Sequence, residues 1–342
     1  MRRTPVRAPS RLAIYPLAVA LVMLLGGVAY ASPGMSVVPV VPIAVATRQP
    51  GQLAQSLPSP KPAPPVTTVL ASSALDGLRS DLGAIAARSG GRVSISLQEL
   101  SGPRRTSISL DGNRSFYAAS TYKLPLLMVE GQQIASGLAR ASDVLCFDPS
   151  DAEDGWFTDY GPGSCYTRDV LALRTGRYSD NTAAHILVRY LGGPDALNRY
   201  AKSIGMSASA LWIPNTTTPD DLTAAWVNEA LGRLGGASAQ HWLFPLLTHT
   251  ASEQGIPAGL PASATVVHKV GTMYGTEIDS AYVVTGRTTY VLSVAVDRLD
   301  EATGWSVIAR VSARIWLYES GRSDFTAPIL TPVGPSPRAN RY

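Results

Sequence analysis

Apolar residues alternate with polar ones at Val93, Ile95 and Leu97 and again at Ile108 and Leu110, the period-two spacing of strands with one face on a core. Gly102-Pro103 marks a turn between the two runs. Strands return far downstream, over 265–271, 278–284 and 289–296, and Thr285-Gly286-Arg287-Thr288 reads as the hairpin loop joining the last two. Between these strand sets the period changes to three and four, with helical patterns over 120–136, 168–176, 181–191, 195–204 and 220–233. Two further helices flank the whole. Ser73 caps the first, whose Leu75, Leu78, Leu82 and Ile85 share a face until Gly90-Gly91 ends it; the second runs over 304–319, with Ile308, Val311, Ile315 and Trp316 turned inward. Strands from both ends of the chain around a helical insert predict an α+β fold. It has one antiparallel sheet, flanked by N- and C-terminal helices, and an all-α lobe, with a groove between them suited to a ligand.

The ends of the chain carry neither period. Arg2, Arg3, Arg7 and Arg11 precede an apolar run over 12–31, and Ala29-Tyr30-Ala31 offers a small-residue cleavage pattern. Residues 1–31 therefore read as an export signal, and the run is about long enough to span a bilayer. A cleaved signal and a retained membrane anchor through residues 12–31 both fit, so the protein is expected in the cell envelope or outside the cell. Residues 32–69 form a proline-rich linker, residues 70–322 the folded domain and residues 323–342 a loose tail. The four N-terminal arginines account for the whole net charge of +4, which leaves 25 bases and 25 acids beyond them. A neutral domain carries no electrostatic footprint for nucleic acid. Two cysteines, Cys146 and Cys165, read as a disulfide in an exported chain, two free thiols being the alternative. The four histidines, His185, His241, His249 and His268, lack metal-ligand spacing and read as structural; neither a metal nor a cofactor is expected. A monomer is expected.

The candidate chemistry starts at Ser120-Thr-Tyr-Lys123. Residues three apart on a helix share a face, and a hydroxyl at a helix N-terminus feels the positive end of the peptide dipoles. A lysine one turn on can take the hydroxyl proton if burial or another cation lowers its pKa. The chain has only four lysines (Lys61, Lys123, Lys202 and Lys269) against 25 arginines, and arginine cannot give up its proton. A lysine kept in such a chain points to proton transfer. Two more clusters follow in order: Ser179-Asp180-Asn181 between helical stretches, and Lys269-Val270-Gly271-Thr272 on the first strand after the insert.

With these three motifs in order, the chain resembles the class A β-lactamase and penicillin-binding protein superfamily over about residues 72–321. The resemblance extends to Arg168-Asp-Val-Leu-Ala-Leu, to Tyr178-Ser-Asp-Asn-Thr-Ala-Ala-His-Ile-Leu187 and to Asn215-Thr-Thr-Thr-Pro219. It implies a β-lactamase/transpeptidase-like fold and a covalent acyl-enzyme. Ser120 would be the nucleophile, Lys123 its base and Ser179 a proton bridge to the leaving nitrogen. Asn181 would hold the substrate amide or Lys123, while Lys269 and Thr272 would grip the substrate carboxylate and Gly271 would leave room for the substrate along the strand. The backbone N–H groups of Ser120 and Thr272 would form the oxyanion hole. The resemblance has departures: the family's Lys-Thr-Gly triplet reads Lys269-Val270-Gly271 here, no arginine is clearly placed on the neighbouring strand to help hold the carboxylate, and the omega loop differs most. Class A β-lactamases carry a deacylating glutamate in their omega loop, whereas the corresponding segment, 206–215, holds no carboxylate. Asp195 opens a helix, and Asp220 and Asp221 fit as acids at a helix N-terminus. A penicillin-binding D,D-carboxypeptidase acting on D-Ala-D-Ala peptide is therefore expected before a β-lactamase that hydrolyses β-lactam, and a non-turnover penicillin-binding sensor ectodomain is the reading from another class. Trp156, Phe157 and Tyr160 either rim the groove or pack its loop.

Overall fold

The computed structural model describes residues 66–101, 105–286 and 288–321. Expectations placed on the export signal, on most of the linker, on the turn at Gly102-Pro103 and on the tail lie outside these residues. In chain order the elements are α1 (Val66–Arg88), β1 (Arg92–Glu99), β2 (Ser107–Leu110), β3 (Phe116–Tyr117), α2 (Lys123–Ala135), β4 (Val144–Cys146), β5 (Cys165–Thr167), α3 (Arg168–Arg177), α4 (Asn181–Leu191), α5 (Pro194–Ser203), β6 (Thr216–Thr217), α6 (Pro219–Ala230), α7 (Gly236–Leu243), β7 (Thr265–Met273), β8 (Thr276–Val284), β9 (Thr289–Asp297) and α8 (Glu301–Gly321).

The five long strands form one antiparallel sheet in the order β2-β1-β9-β8-β7, so the two ends of the chain do share a sheet. Its central strand shows why. Along β9, Leu292, Val294 and Val296 pack with Leu78 and Leu82 of α1 and Ile308, Val311 and Ile315 of α8, whereas Val291 and Ala295 pack with Leu222 and Trp226 of α6. A strand covered on both faces needs apolar side chains on both, and every residue of β8 and β9 is buried. The edge strand β7 borders the α lobe, and that places Lys269 at the groove.

Three boundaries differ from the sequence reading. Helix α1 begins at Val66, not at Ser73, so the last residues assigned to the linker are helical; no glycine or proline after Pro65 stops the helix from extending back. The stretch expected as one helix from Ser120 opens with a 3-10 turn, Ala119–Tyr122, before α2. Helix α7 went unread because Gly232, Gly235 and Gly236, all at positive φ, separate it from α6 and break the apolar period. Cys146 and Cys165 stand opposite each other in the β4–β5 ladder and are joined by a disulfide.

Candidate active site

Ser120 sits in the 3-10 turn that leads into α2, and the residue before it, Ala119, is held at φ +46°. A non-glycine residue in the left-handed region persists only where its surroundings fix it. Two elements fix this one. The Asn215 side-chain amide donates to the Ala119 carbonyl (3.1 Å), and the Ala118 N–H donates to the Asn215 carbonyl (2.8 Å). On the other side β7 comes so close that a Cβ on Gly271 would lie 2.6 Å from the Ala118 carbonyl oxygen and 3.2 Å from Ala119 Cβ. Gly271 thus makes room for the turn that carries Ser120, a close approach the sequence reading did not include. In the sequence Asn215 is only part of the run Asn215-Thr-Thr-Thr-Pro219; its clamp on the turn is visible only in three dimensions.

Lys123 is fully buried one turn beyond Ser120. Its Nζ lies 2.6 Å from the Ser179 carbonyl, 2.6 Å from Asn181 Oδ1, 3.1 Å from Ser120 Oγ and 3.4 Å from Ser179 Oγ. The two close partners carry no hydrogen of their own on the contacting oxygen, so each must receive an N–H. A neutral amine that donates to both keeps its lone pair for the Ser120 hydroxyl. Burial, then repulsion from Lys269, lowers Lys123 well below an ordinary amine.

Ser179 bridges the two lysines: Lys269 Nζ donates to its Oγ at 3.0 Å and to the Val270 carbonyl at 3.0 Å. Lys269 is buried and shifted down to about 7 by desolvation, with Asp279 pulling the other way. Ser179 itself stands at φ +58°, the second strained residue of the site. Behind it, buried Asp180 caps α4 by accepting from the Ala183 N–H, and also accepts from the N–H groups of Trp156 and Phe157 and from the Tyr160 hydroxyl. One carboxylate therefore ties the serine to the loop that walls the groove. Trp156 stands on the rim, while Phe157 and Tyr160 pack under Arg174.

The groove has a volume of about 760 Å³ and is lined by Ser120, Ser179, Asn181 and Thr272, with Trp156 and Tyr178 on the α lobe's side. Five expected polar side chains, those of Ser120, Lys123, Ser179, Asn181 and Lys269, form one connected cluster, and Thr272 lies on the same cavity. Two further lining residues, Glu153 and His185, were not foreseen as part of the site, and His185 had been read as structural. A helical histidine at an ordinary position gives no sequence signal; only its place four residues after Asn181 on α4 hinted at a shared face. The nearby aspartates are placed as expected. Asp221, in the first turn of α6, accepts from Ser209 Oγ (2.6 Å) and the Ala208 N–H (2.9 Å), and Asp220 accepts from Ser109 Oγ. Asp221 thus anchors the 206–215 segment from behind, while Asp220 ties α6 to β2.

Residues 77–318 match the sequence profile of the "Beta-lactamase enzyme family". The chain is 30% identical over 248 residues to "Beta-lactamase OXY-2" of Klebsiella oxytoca, covering 64% of this chain and 81% of that protein. It is 33% identical over 157 residues to a β-lactamase of Streptomyces fradiae, covering 40% and 50%. Among solved structures, a point mutant of PBP-A, described as an acyl-enzyme complex with penicillin G, superposes with a TM-score of 0.67 at 25% identity, covering 71% of this chain and 96% of that one. An ancestral class A β-lactamase superposes with a TM-score of 0.63 at 27% identity, covering 70% and 99%.

Proposed function

Because this chain belongs to the β-lactamase enzyme family, we propose that it is an exported serine hydrolase whose Ser120 is acylated by β-lactams and by peptides ending in D-Ala-D-Ala, the peptide being its own substrate. The observation that carries the reading is the linked set Ser120 Oγ, Lys123 Nζ, Ser179 Oγ and Lys269 Nζ, in which each neighbouring pair lies within 3.4 Å. Lys123 takes the Ser120 proton as Oγ attacks the carbonyl carbon, and Ser179 passes a proton to the leaving nitrogen. Lys269 restores the charge balance and faces the substrate carboxylate. Thr272 lies beside it on the cleft wall, where its N–H and that of Ser120 would receive the oxyanion.

The peptide is favoured over the lactam by the segment 206–215, which brings no carboxylate to the cleft. A β-lactam's leaving nitrogen stays tethered to the acyl group and obstructs water, whereas D-alanine departs and leaves an opening. Export is supported by the basic and apolar character of residues 2–31. A β-lactamase is the second reading, favoured by the names of the relatives.

The test mixes the protein with a chromogenic cephalosporin and follows turnover and intact mass together. A lasting single adduct on Ser120, with D-alanine release from an N-acylated D-Ala-D-Ala peptide, supports the proposal. Rapid multiple turnover of the cephalosporin supports the second reading. Labelling that survives Ser120→Ala removes the nucleophile from both.

A further inference from the structure

The cleft holds one acid–base pair that the acylation steps leave unused. His185 Nε2 lies 2.7 Å from Glu153 Oε2, and both residues line the cavity that contains Ser120. The pair is built from separate elements. His185 is on α4, one turn after Asn181, whose Oδ1 accepts from Lys123 Nζ. Glu153 comes from the loop before the disulfide's second cysteine, and its N–H donates to Thr182 Oγ1, whose hydroxyl in turn donates to the Glu153 carbonyl. The Trp212 ring, 4.5 Å from the imidazole between centroids, covers the histidine from the 206–215 segment. That segment therefore brings an aromatic lid to the pair where no carboxylate is present.

A backbone bond at Asp151 also holds the imidazole. With one ring nitrogen turned to that carbonyl, Nε2 is left facing the Glu153 carboxylate. Burial pulls His185 below its usual value, Glu153 opposes that shift, and Lys123 lowers it further, so the imidazole is within the field of the catalytic amine. The side chain of His185 is 17% exposed and that of Glu153 45%, so water reaches the carboxylate while the histidine stays sheltered.

We infer that Glu153 and His185 together form the general base that activates water for release of the Ser120 ester. The inference rests on the acyl-enzyme reading above. The water oxygen bonds to the acyl carbon as one of its protons passes to the pair. The bond from that carbon to Ser120 Oγ then breaks, and a proton returned from the pair restores the serine hydroxyl.

The test compares the whole protein with its Glu153→Gln and His185→Asn variants in two assays: the rate of benzylpenicillin adduct formation, and D-alanine release from an N-acylated D-Ala-D-Ala peptide with the enzyme quenched for mass. The inference expects penicillin acylation within about threefold of wild type, and release of the peptidyl ester slowed on the order of 10²-fold, the lower range for loss of a general base. One D-alanine per enzyme should then appear quickly while a peptidyl adduct accumulates. Variants that acylate normally and still turn the peptide over within about threefold of wild type, with no adduct building up, overturn the inference; the threefold band is far below a general base's contribution. So does a wild-type protein acylated at Ser120 that releases neither ester. A wild type that forms no adduct at Ser120 refutes the acyl-enzyme reading itself. Glu153 is partly exposed, so its variant retains a readable fold even if the His185 variant does not.

Discussion

His268 and Lys269 are neighbours on β7, both buried, both able to carry a positive charge, and they point to opposite faces of the strand. The His268 ring sits between two carboxylates, with Nδ1 3.0 Å from Asp279 Oδ1 and Nε2 3.1 Å from Glu253 Oε1. Desolvation opposes its charge, but these partners prevail and raise it to about 9. Lys269 has a serine hydroxyl and a backbone carbonyl for partners, and desolvation takes it down to about 7. The same burial thus gives opposite outcomes according to the partner. A buried cation matched by carboxylates is fixed and structural, whereas one given only neutral acceptors is left able to exchange its proton near neutrality. Lys123 belongs to the second kind.

That contrast can be broken from either side. The largest effect is expected from Lys123→Met, which removes the base beside Ser120: penicillin acylation should fall on the order of 10³-fold, about 4 kcal/mol of activation free energy. The melting temperature should fall less than in His268→Leu, because the acceptors left without Lys123 are neutral and no charged partner is stranded. Stopped-flow acylation and thermal melts measure the two quantities on the same sample. His268→Leu should do the reverse. It strands Asp279, fully buried, and should cost about 3–5 kcal/mol of stability, while the folded fraction acylates near the wild-type rate; urea titration with parallel penicillin labelling reads both.

How far such assignments were readable beforehand depended on where the information lay. Ser120, Lys123, Ser179, Asn181 and Lys269 were legible because their chemistry is written in residue type and order, and lysine is scarce in this chain. The sheet was legible because β1 alternates apolar and polar residues and β9 is a nearly continuous apolar run. His185 with Glu153, and Asn215 with Ala119, were not, since each pair joins residues brought together by loop paths that leave no periodic trace. The close approach at Gly271 was hidden for the same reason: the atoms that exclude a side chain there come from residues 118–121.

A smaller effect sharpens the comparison through pH. The folded pKa of His268 lies above its unfolded value of 6.5, so its contribution to stability is complete below that value and is lost as pH rises through about 9. The folded pKa of Lys269 lies below its unfolded value of 10.5, so from about 7 upward the unfolded chain holds more protons at that site and stability grows with pH. Between about 7 and 9 the two neighbours oppose each other. In Lys269→Met only the loss remains, so the melting temperature should fall more steeply with pH across that window than in the wild type. A parallel slope in the two proteins would remove the contrast between the neighbours.

The central claim is that a buried lysine whose hydrogen-bond partners are all neutral makes Ser120 nucleophilic, and the pH dependence of the acylation rate constant with benzylpenicillin tests it most directly. The account predicts a rate that rises and reaches its plateau well below pH 10.5, the value for an ordinary amine, with that rise abolished in Lys123→Met. A rate that climbs only as an ordinary lysine deprotonates, or a Lys123→Met protein with an unchanged profile, would contradict it.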